Sequence, residues 1–334
     1  LLEEFRVLGG TADNVCVRAG SLGKGLFAED PSRPVRLRTP ENLLLPLEDA
    51  RFEGGKFFVA PHSAMPEREK AWFEHYENEF SWGNGGCRDT EAWLESIWSL
   101  PDDIRQTLAA KFGMAYCAGA LTAEIVQQRF LDSRVITFNG RKVVMPIIEL
   151  INHRSRAANY NLDGGVTVSG TFTDEILVSY SENDAFGLFQ NWGFLSEEAA
   201  AYSLAMDLAG LTPEVFIARA FLKGKSHSLK DAPGNSVWLP ELVDDEGRIR
   251  LSFLMLGNRN SPRIPRGAYH RVFRDTGLQA GDEVFDIIRH MNAKNFLDLL
   301  ADIEGLTMPF ATTLRTMCRY QLEALTFCFG MREI

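Results

Sequence analysis

The sequence predicts an α+β fold. Short strands form two halves of one domain, a helical region is inserted between them, and the C-terminal domain is mainly helical. Three observations lead there. Short apolar runs bounded by turn residues fill 15–60 and 147–178, as strands do. Between them the period changes: in 64–133 apolar residues recur at helical spacing, beginning with Trp72, Phe73, Tyr76 and Phe80. Beyond residue 195 most segments again read as helices. The expected parts are 1–63 and 134–195 for the strand-rich halves, 64–133 for the insert and 196–334 for the C-terminal domain, consistent with a length that suits about two domains.

Composition narrows the function. Apolar content of 45% and charged content of 24% are those of an ordinary globular protein. A net charge of −10 argues against a general nucleic-acid binder, which carries a basic excess. It would draw a protein substrate with a basic tail, as a long-range bias. Cys16, Cys87, Cys117, Cys318 and Cys328 are scattered without CxxC spacing, so no metal site is expected and a reducing, cytoplasmic location is. No run is long enough for a membrane span. The first residue is Leu1, not Met, which implies sequence ahead of it and leaves a targeting segment there open.

Residues 1–14 read as a short helix closed by Gly9-Gly10. Val15–Arg18 and Leu26–Ala28 read as strands joined by a glycine turn. Gly23-Lys24-Gly25 with Ala28 matches the dinucleotide pattern GxGxxA in form only. That pattern needs a helix to open at once, and Pro31 and Pro34 forbid it. The phosphate-loop pattern fails too, because Gly25 stands where Ser or Thr is required. Leu43-Leu44-Leu45 is expected in the core. Asp102-Asp103 after Pro101 suits the first turn of a helix. Trp93, Ile97 and Trp98 read as core.

The apolar runs Ile147–Ile151 and Ile176–Val178 read as strands, each ending on a polar cluster. The first cluster is Asn152-His153-Arg154-Ser155, the second Tyr180-Ser181-Glu182-Asn183-Asp184. Polar groups at strand ends are where sites are commonly built. Glu149 and His153 are four apart, a spacing that suits one helix face, but the local pattern reads as strand, and a metal or acid–base pair is not favoured there. Further on, 195–210 and 213–222 read as helices, 236–256 as a β-hairpin turning at Asp245-Glu246-Gly247, and 257–267 as a loop whose Arg259, Arg263 and Arg266 are either solvated or offered to an acidic partner.

Taken together, four motifs resemble those of the SET-domain protein methyltransferases, in family order from Gly23 to Phe194. They are the Gly23-Lys24-Gly25 turn, Ser133-Arg134 at a helix end, Asn152-His153 after an apolar run, and Tyr180 followed by Trp192-Gly193-Phe194. The inserted helical block resembles the branch that includes the Rubisco large-subunit methyltransferases. The resemblance implies a SET-type fold and S-adenosylmethionine as cofactor. It implies that Gly23, Lys24, Gly25 and Leu26 pass close to the cofactor, that Arg134 holds its carboxylate, and that Asn152 and His153 bind its adenosyl part largely through backbone. Tyr180 would orient the acceptor, with Glu149, Trp192 and Phe194 at the substrate channel.

The implied reaction is an in-line methyl transfer to a lysine, or a histidine, of a protein substrate. Donor and acceptor must be collinear. A lysine must also lose the proton it holds with a pKa of about 10.4, which desolvation favours. The sequence departs from the pattern at two places. Trp192 replaces the usual tyrosine, removing a hydroxyl and leaving an N–H donor. Glu149 stands where many members have Asp. A second class therefore stays open: a catalytically silent SET-like binding protein, with Trp192 filling the channel. No metal, nucleic acid or membrane is implied.

Overall fold

A glycine-closed hairpin starts the strand-rich part of the protein. Val15–Gly20 pairs antiparallel with Gly23–Ala28, and Ser21-Leu22 forms the turn. Gly23 adopts φ +99°, a backbone conformation that a side chain resists. The computed structural model describes residues 1–208, 214–222, 228–232, 235–245, 248–276 and 281–327. These divide into two compact units, one combining Leu1–Leu94 with Leu121–Ser181, the other Glu95–Ala120 with Glu182–Ile334.

In the first unit Val35–Pro40 is the central strand of an antiparallel sheet, flanked by Thr11–Asp13 and Gly165–Gly170. Its alternation explains its place: Val35 and Leu37 are buried and Arg36 is exposed. A second sheet joins Leu45–Pro46, Arg141–Val144 and Val135–Phe138. The Glu67–Phe80 helix begins after Pro66 with Glu67 and Glu69 in the first turn, where negative charge is favoured. It buries Trp72, Phe73 and Tyr76 as the spacing requires, stacking Trp72 on Phe5 and Phe73 on Phe57, each pair at 5.8 Å. Leu43, Leu44 and Leu45 lie in the core.

The second unit holds the helix Asp102–Phe112, closed by Gly113 in the left-handed region, and the helix Ala185–Trp192, capped by Asp184. A four-stranded sheet follows, in the order Met206–Leu208, Glu214–Ala218, Arg248–Ser252, Glu241–Asp245. Helices Ile264–Thr276, Asp282–Asp302 and Pro309–Thr326 come last. Among the described residues no helix is long and apolar enough to cross a membrane.

The α+β class with a helical insert and C-terminal helices is what the structure has, but four local expectations change. Residues 195–208 hold the strands Ala200–Tyr202 and Met206–Leu208 instead of a helix, 214–222 hold the strand Glu214–Ala218, and the parts of both expected helices within 209–213 lie outside the described residues. In that last strand Val215 and Ile217 are buried and the residues between them are not, a period of two that wins over helix propensity once neighbours pair on both sides. Ile147–Ile151 is not a strand. Ile147 takes φ 70° and ψ −57°, Ile148–Leu150 is a short 3-10 turn, and extended pairing begins only at Asn152. The basic loop becomes helix at Ile264 and two of its three arginines are engaged within their own unit, Arg259 by Glu197 and Glu323 and Arg266 by Asp282 and Asp286, while Arg263 is exposed. The hairpin in 236–256 forms, pairing Glu241–Asp245 with Arg248–Ser252, while Glu246 and Gly247 lie outside the described residues, as does Cys328.

Candidate functional site

Segments far apart in the chain meet in the first unit. The strand Gly23–Ala28 receives residues 174–178 alongside it: Ala28 N–H donates to Asp174 O (3.0 Å) and Ile176 N–H to Leu26 O (2.8 Å). On its other side Leu177–Val178 pairs in parallel with Asn152–His153. The two polar clusters therefore lie next to each other and beside the glycine turn. Asn152 Nδ2 donates to Lys24 O (3.3 Å) and to Glu175 Oε1 (2.7 Å). Glycine at 25 makes this approach possible, since a Cβ there would sit 2.5 Å from Glu175 Oε1 and 2.9 Å from Asn152 Nδ2. The Lys24 ammonium donates to Phe80 O (2.8 Å) and Asn84 O (3.1 Å), tying the turn to the end of the Glu67–Phe80 helix. Burial lowers its pKa, against the opposing pull of Asp89.

Tyr180 is fixed at both ends. Its backbone N–H donates to His153 Nδ1 (3.1 Å), and its hydroxyl donates to Ile151 O (2.6 Å). The two rings lie 5.2 Å apart. The phenol proton is committed to a carbonyl, so toward any further group the oxygen acts as an acceptor. Burial pushes its pKa well up, Arg134 opposes this and Glu149 adds to it, and the group stays protonated across the physiological range.

Glu149 reaches its place through a strained turn. Ile148 N–H donates to Pro146 O (2.9 Å) around Ile147, the positive-φ kind of γ-turn that a β-branched residue rarely adopts. The buried Thr39 hydroxyl holds the same carbonyl at 2.9 Å. The Glu149 side chain is fully buried. Oε1 accepts from Tyr76 Oη (2.8 Å) and Ser81 Oγ (2.5 Å), and Oε2 lies 3.9 Å from Arg134 Nε. Arg134 lies over the Phe130 ring and donates from Nη1 to Ser133 Oγ (2.8 Å) and Phe130 O (3.3 Å). Its side chain keeps 26% exposure, so the guanidinium is open to a further anion.

Glu77 completes this cluster and is fully buried. Both its oxygens fall short of hydrogen-bond geometry with any donor. Burial pushes its pKa well above the carboxylate range and the Glu149 charge adds to the rise; Arg134, the Ser81 hydroxyl and the Trp82 amide offset it only in part. Burial also raises Glu149, against Arg134 and its two hydroxyl donors. Two buried carboxyls facing one guanidinium do not both ionise cheaply. Glu149 accepts two hydroxyl hydrogen bonds and Glu77 has none of good geometry, so the larger rise falls on Glu77. A folded-state pKa raised in this way adds stability below pH 4.5 that is lost as pH rises toward the shifted value. The folded stability of the wild type should fall across that window by up to about 1.4 kcal/mol per pH unit. Glu77→Gln should flatten the slope, read from urea midpoints at several pH values; equal slopes in both proteins would contradict the assignment.

The motif residues expected at the site thus split. Gly23, Lys24, Gly25, Leu26, Arg134, Glu149, Asn152, His153 and Tyr180 all belong to the first unit. Trp192 and Phe194 belong to the second, where Trp192 ends the Ala185–Trp192 helix and Gly193 N–H donates to Phe189 O (2.9 Å). Glu77, Ser81 and Glu175 were not singled out from sequence, and Tyr76 was read only as part of an apolar helix face. For Glu77 a signal existed: it lies four residues after Phe73 and one after Tyr76, a charge on the apolar face of its helix. Among the described residues no group of His, Cys, Asp and Glu is arranged to hold a metal ion.

No protein-family model and no curated protein sequence matches the chain. Two solved structures are similar over 99% of it. One is the SET domain of LSMT bound to lysine and AdoHcy, at 14% identity, 89% of that chain and a TM-score of 0.43. The other is Rubisco LSMT bound to sinefungin and monomethyllysine, at 14% identity, 90% of that chain and a TM-score of 0.44. Similarity this distant carries no weight for function, which rests on the residues of the site itself.

Proposed function

We propose that this chain is an S-adenosylmethionine-dependent protein methyltransferase with a SET-type domain formed from 1–63 and 134–195, acting on a lysine or histidine side chain. One observation carries the reading: the contact of Asn152 Nδ2 with Lys24 O, across 128 residues of sequence, in the same unit as the Tyr180–His153 hydrogen bond. Two of the motifs, the glycine turn and Asn152-His153, are in contact there, and Tyr180 is bonded to the second of them.

The residues fit such a cofactor. The Gly23 backbone is open, since a Cβ there would meet nothing within 4 Å. Arg134 offers a partly exposed guanidinium, suited to a carboxylate. The Gly23–Leu26 backbone, Asn152 and His153 would hold the remainder. When bound, the cofactor supplies an electrophilic methyl group on a sulfonium. Tyr180 Oη, with its proton given to Ile151 O, accepts a hydrogen bond from the acceptor amine and fixes the direction of its lone pair. The upward shift of Glu77 disfavours a second negative charge beside Glu149, which would otherwise compete for the pull of Arg134 on an incoming carboxylate.

Calorimetry should show micromolar affinity for S-adenosylmethionine, roughly −8 kcal/mol. Arg134→Ala should weaken it by about tenfold or more, through loss of a charge-assisted hydrogen bond of about 1.5–3 kcal/mol. Asn152→Ala should weaken it by less. Wild-type affinity in both variants would refute the site. Cofactor affinity without methyl transfer to any protein of a lysate would instead favour a silent binding module, the reading that Trp192 keeps open.

A further inference from the structure

Immediately after Asn152-His153 the chain makes a turn that the methyl-transfer chemistry leaves unused. Ala157 N–H donates to Arg154 O (3.1 Å), closing a β-turn over Arg154-Ser155-Arg156-Ala157. Arg156, its third residue, has φ 68°. That position favours glycine, and arginine takes it only at a conformational cost. An outlier of this kind points to a demand on the side chain.

The demand is visible beside the turn. A cavity of about 370 Å³ is lined by Arg154 and Arg156, by the hydroxyl-bearing residues Ser169 and Thr171, and by Phe172. Both arginines are exposed, and among the described residues neither guanidinium has a hydrogen bond or an ion pair. Glu175 is the one acid in the lining, and its carboxylate is already held by Asn152 Nδ2. The lining is therefore net positive in a chain of net charge −10. Ser179 N–H donates to Ala158 O (3.1 Å), anchoring the loop to the strand end that leads to Tyr180.

We infer that this cavity is an oxyanion-binding subsite that takes an acidic or phosphorylated side chain of the protein substrate, close to the residue that is methylated. Two unpaired guanidinia beside hydroxyl donors are the groups that recognise carboxylate and phosphoryl oxygens. The volume lies within the range of small-ligand sites, large enough for one such side chain with its neighbours. The substrate sense of the site rests on the methyltransferase reading; the anion chemistry does not.

The test uses the full chain and labelled short peptides carrying one lysine flanked by glutamates, by phosphoserines or by glutamines, with binding read by fluorescence anisotropy. The acidic peptides should bind on the order of tenfold or more tightly than the glutamine peptide, and less so as salt is raised. The glutamate and phosphoserine arms tell carboxylate from phosphoryl as the preferred source. Arg156→Gly is the decisive variant. It suits the turn better than arginine, so the melting temperature should stay or rise while acidic-peptide affinity falls by about tenfold. Arg154→Gln should lose affinity by a similar factor. S-adenosylmethionine affinity, measured on the same proteins, should not change. Equal binding of acidic and glutamine peptides, or unchanged affinity in Arg156→Gly and Arg154→Gln, overturns the subsite. A wild type that binds acidic peptides but no cofactor leaves the subsite standing and removes the methyltransferase reading instead.

Discussion

Tyr180→Phe is expected to lower the rate of methyl transfer by about 100–1000-fold, the usual effect of removing one positioned polar group at a reacting centre. Cofactor affinity should stay near wild type. The phenylalanine ring keeps the 5.2 Å contact with His153, and the backbone N–H still donates to His153 Nδ1. What disappears is the hydroxyl, together with its bond to Ile151 O. The carbonyl left without that donor costs about 1–3 kcal/mol of stability, less than an ordinary domain has in reserve. Single-turnover methylation of an identified substrate, set beside calorimetry with S-adenosylmethionine, separates the two effects. Full activity in the variant would remove Tyr180 from its proposed role. A parallel loss of cofactor affinity would move that role from acceptor to cofactor.

The largest stability effect is expected in the second unit. Asp184 is fully buried and all its acceptor capacity is in use. Oδ1 accepts from Gly187 N–H (2.8 Å), capping the Ala185–Trp192 helix, and from Arg219 Nη2 (2.7 Å). Oδ2 accepts from Tyr202 N–H (2.7 Å), Gln321 Nε2 (2.7 Å) and Arg219 Nη1 (3.3 Å). One carboxylate thus joins the Ala185–Trp192 helix, the Ala200–Tyr202 strand and the Pro309–Thr326 helix. Asp184→Ala leaves the Arg219 guanidinium, only 10% exposed, without its counter-charge. Removing one partner of a buried pair costs about 3–5 kcal/mol, and the lost cap adds about 1 kcal/mol. Asp184→Asn keeps an acceptor for the cap and should lose less. Urea unfolding of the two variants measures the difference. A loss under about 1 kcal/mol for Asp184→Ala would mean that Arg219 finds another anion.

Parts of the fold were legible because their causes are local. The hairpin at 15–28 follows from its glycines and from the prolines that forbid a helix after it. The Glu67–Phe80 helix follows from the spacing of its aromatics. The described residues of 195–222 depart from the expected helices for the opposite reason. Alanine, leucine and glutamate favour a helix when nothing else acts, but Ala200, Ala201 and Tyr202 are all buried against a partner strand that lies over fifty residues later. A long-range partner of that kind leaves no trace in local propensity. Ile147–Ile151 shows a related limit, since a short apolar run means burial and not a particular backbone.

Gly23, Gly25, Arg134, Glu149, Asn152, His153 and Tyr180 could be named as one expected group from sequence only through the resemblance of four short motifs, in order, to one family, since each motif is weak alone. Tertiary structure alone decided what surrounds them. Glu175 becomes a partner of Asn152 only because residues 174–178 lie along the glycine strand. The Glu77 carboxyl is pushed well above its usual range only because packing buries it and brings the Glu149 charge near it. Protonation, desolvation and the strain at Ile147 and Arg156 are properties of distance and enclosure, and these exist only once distant segments have come together.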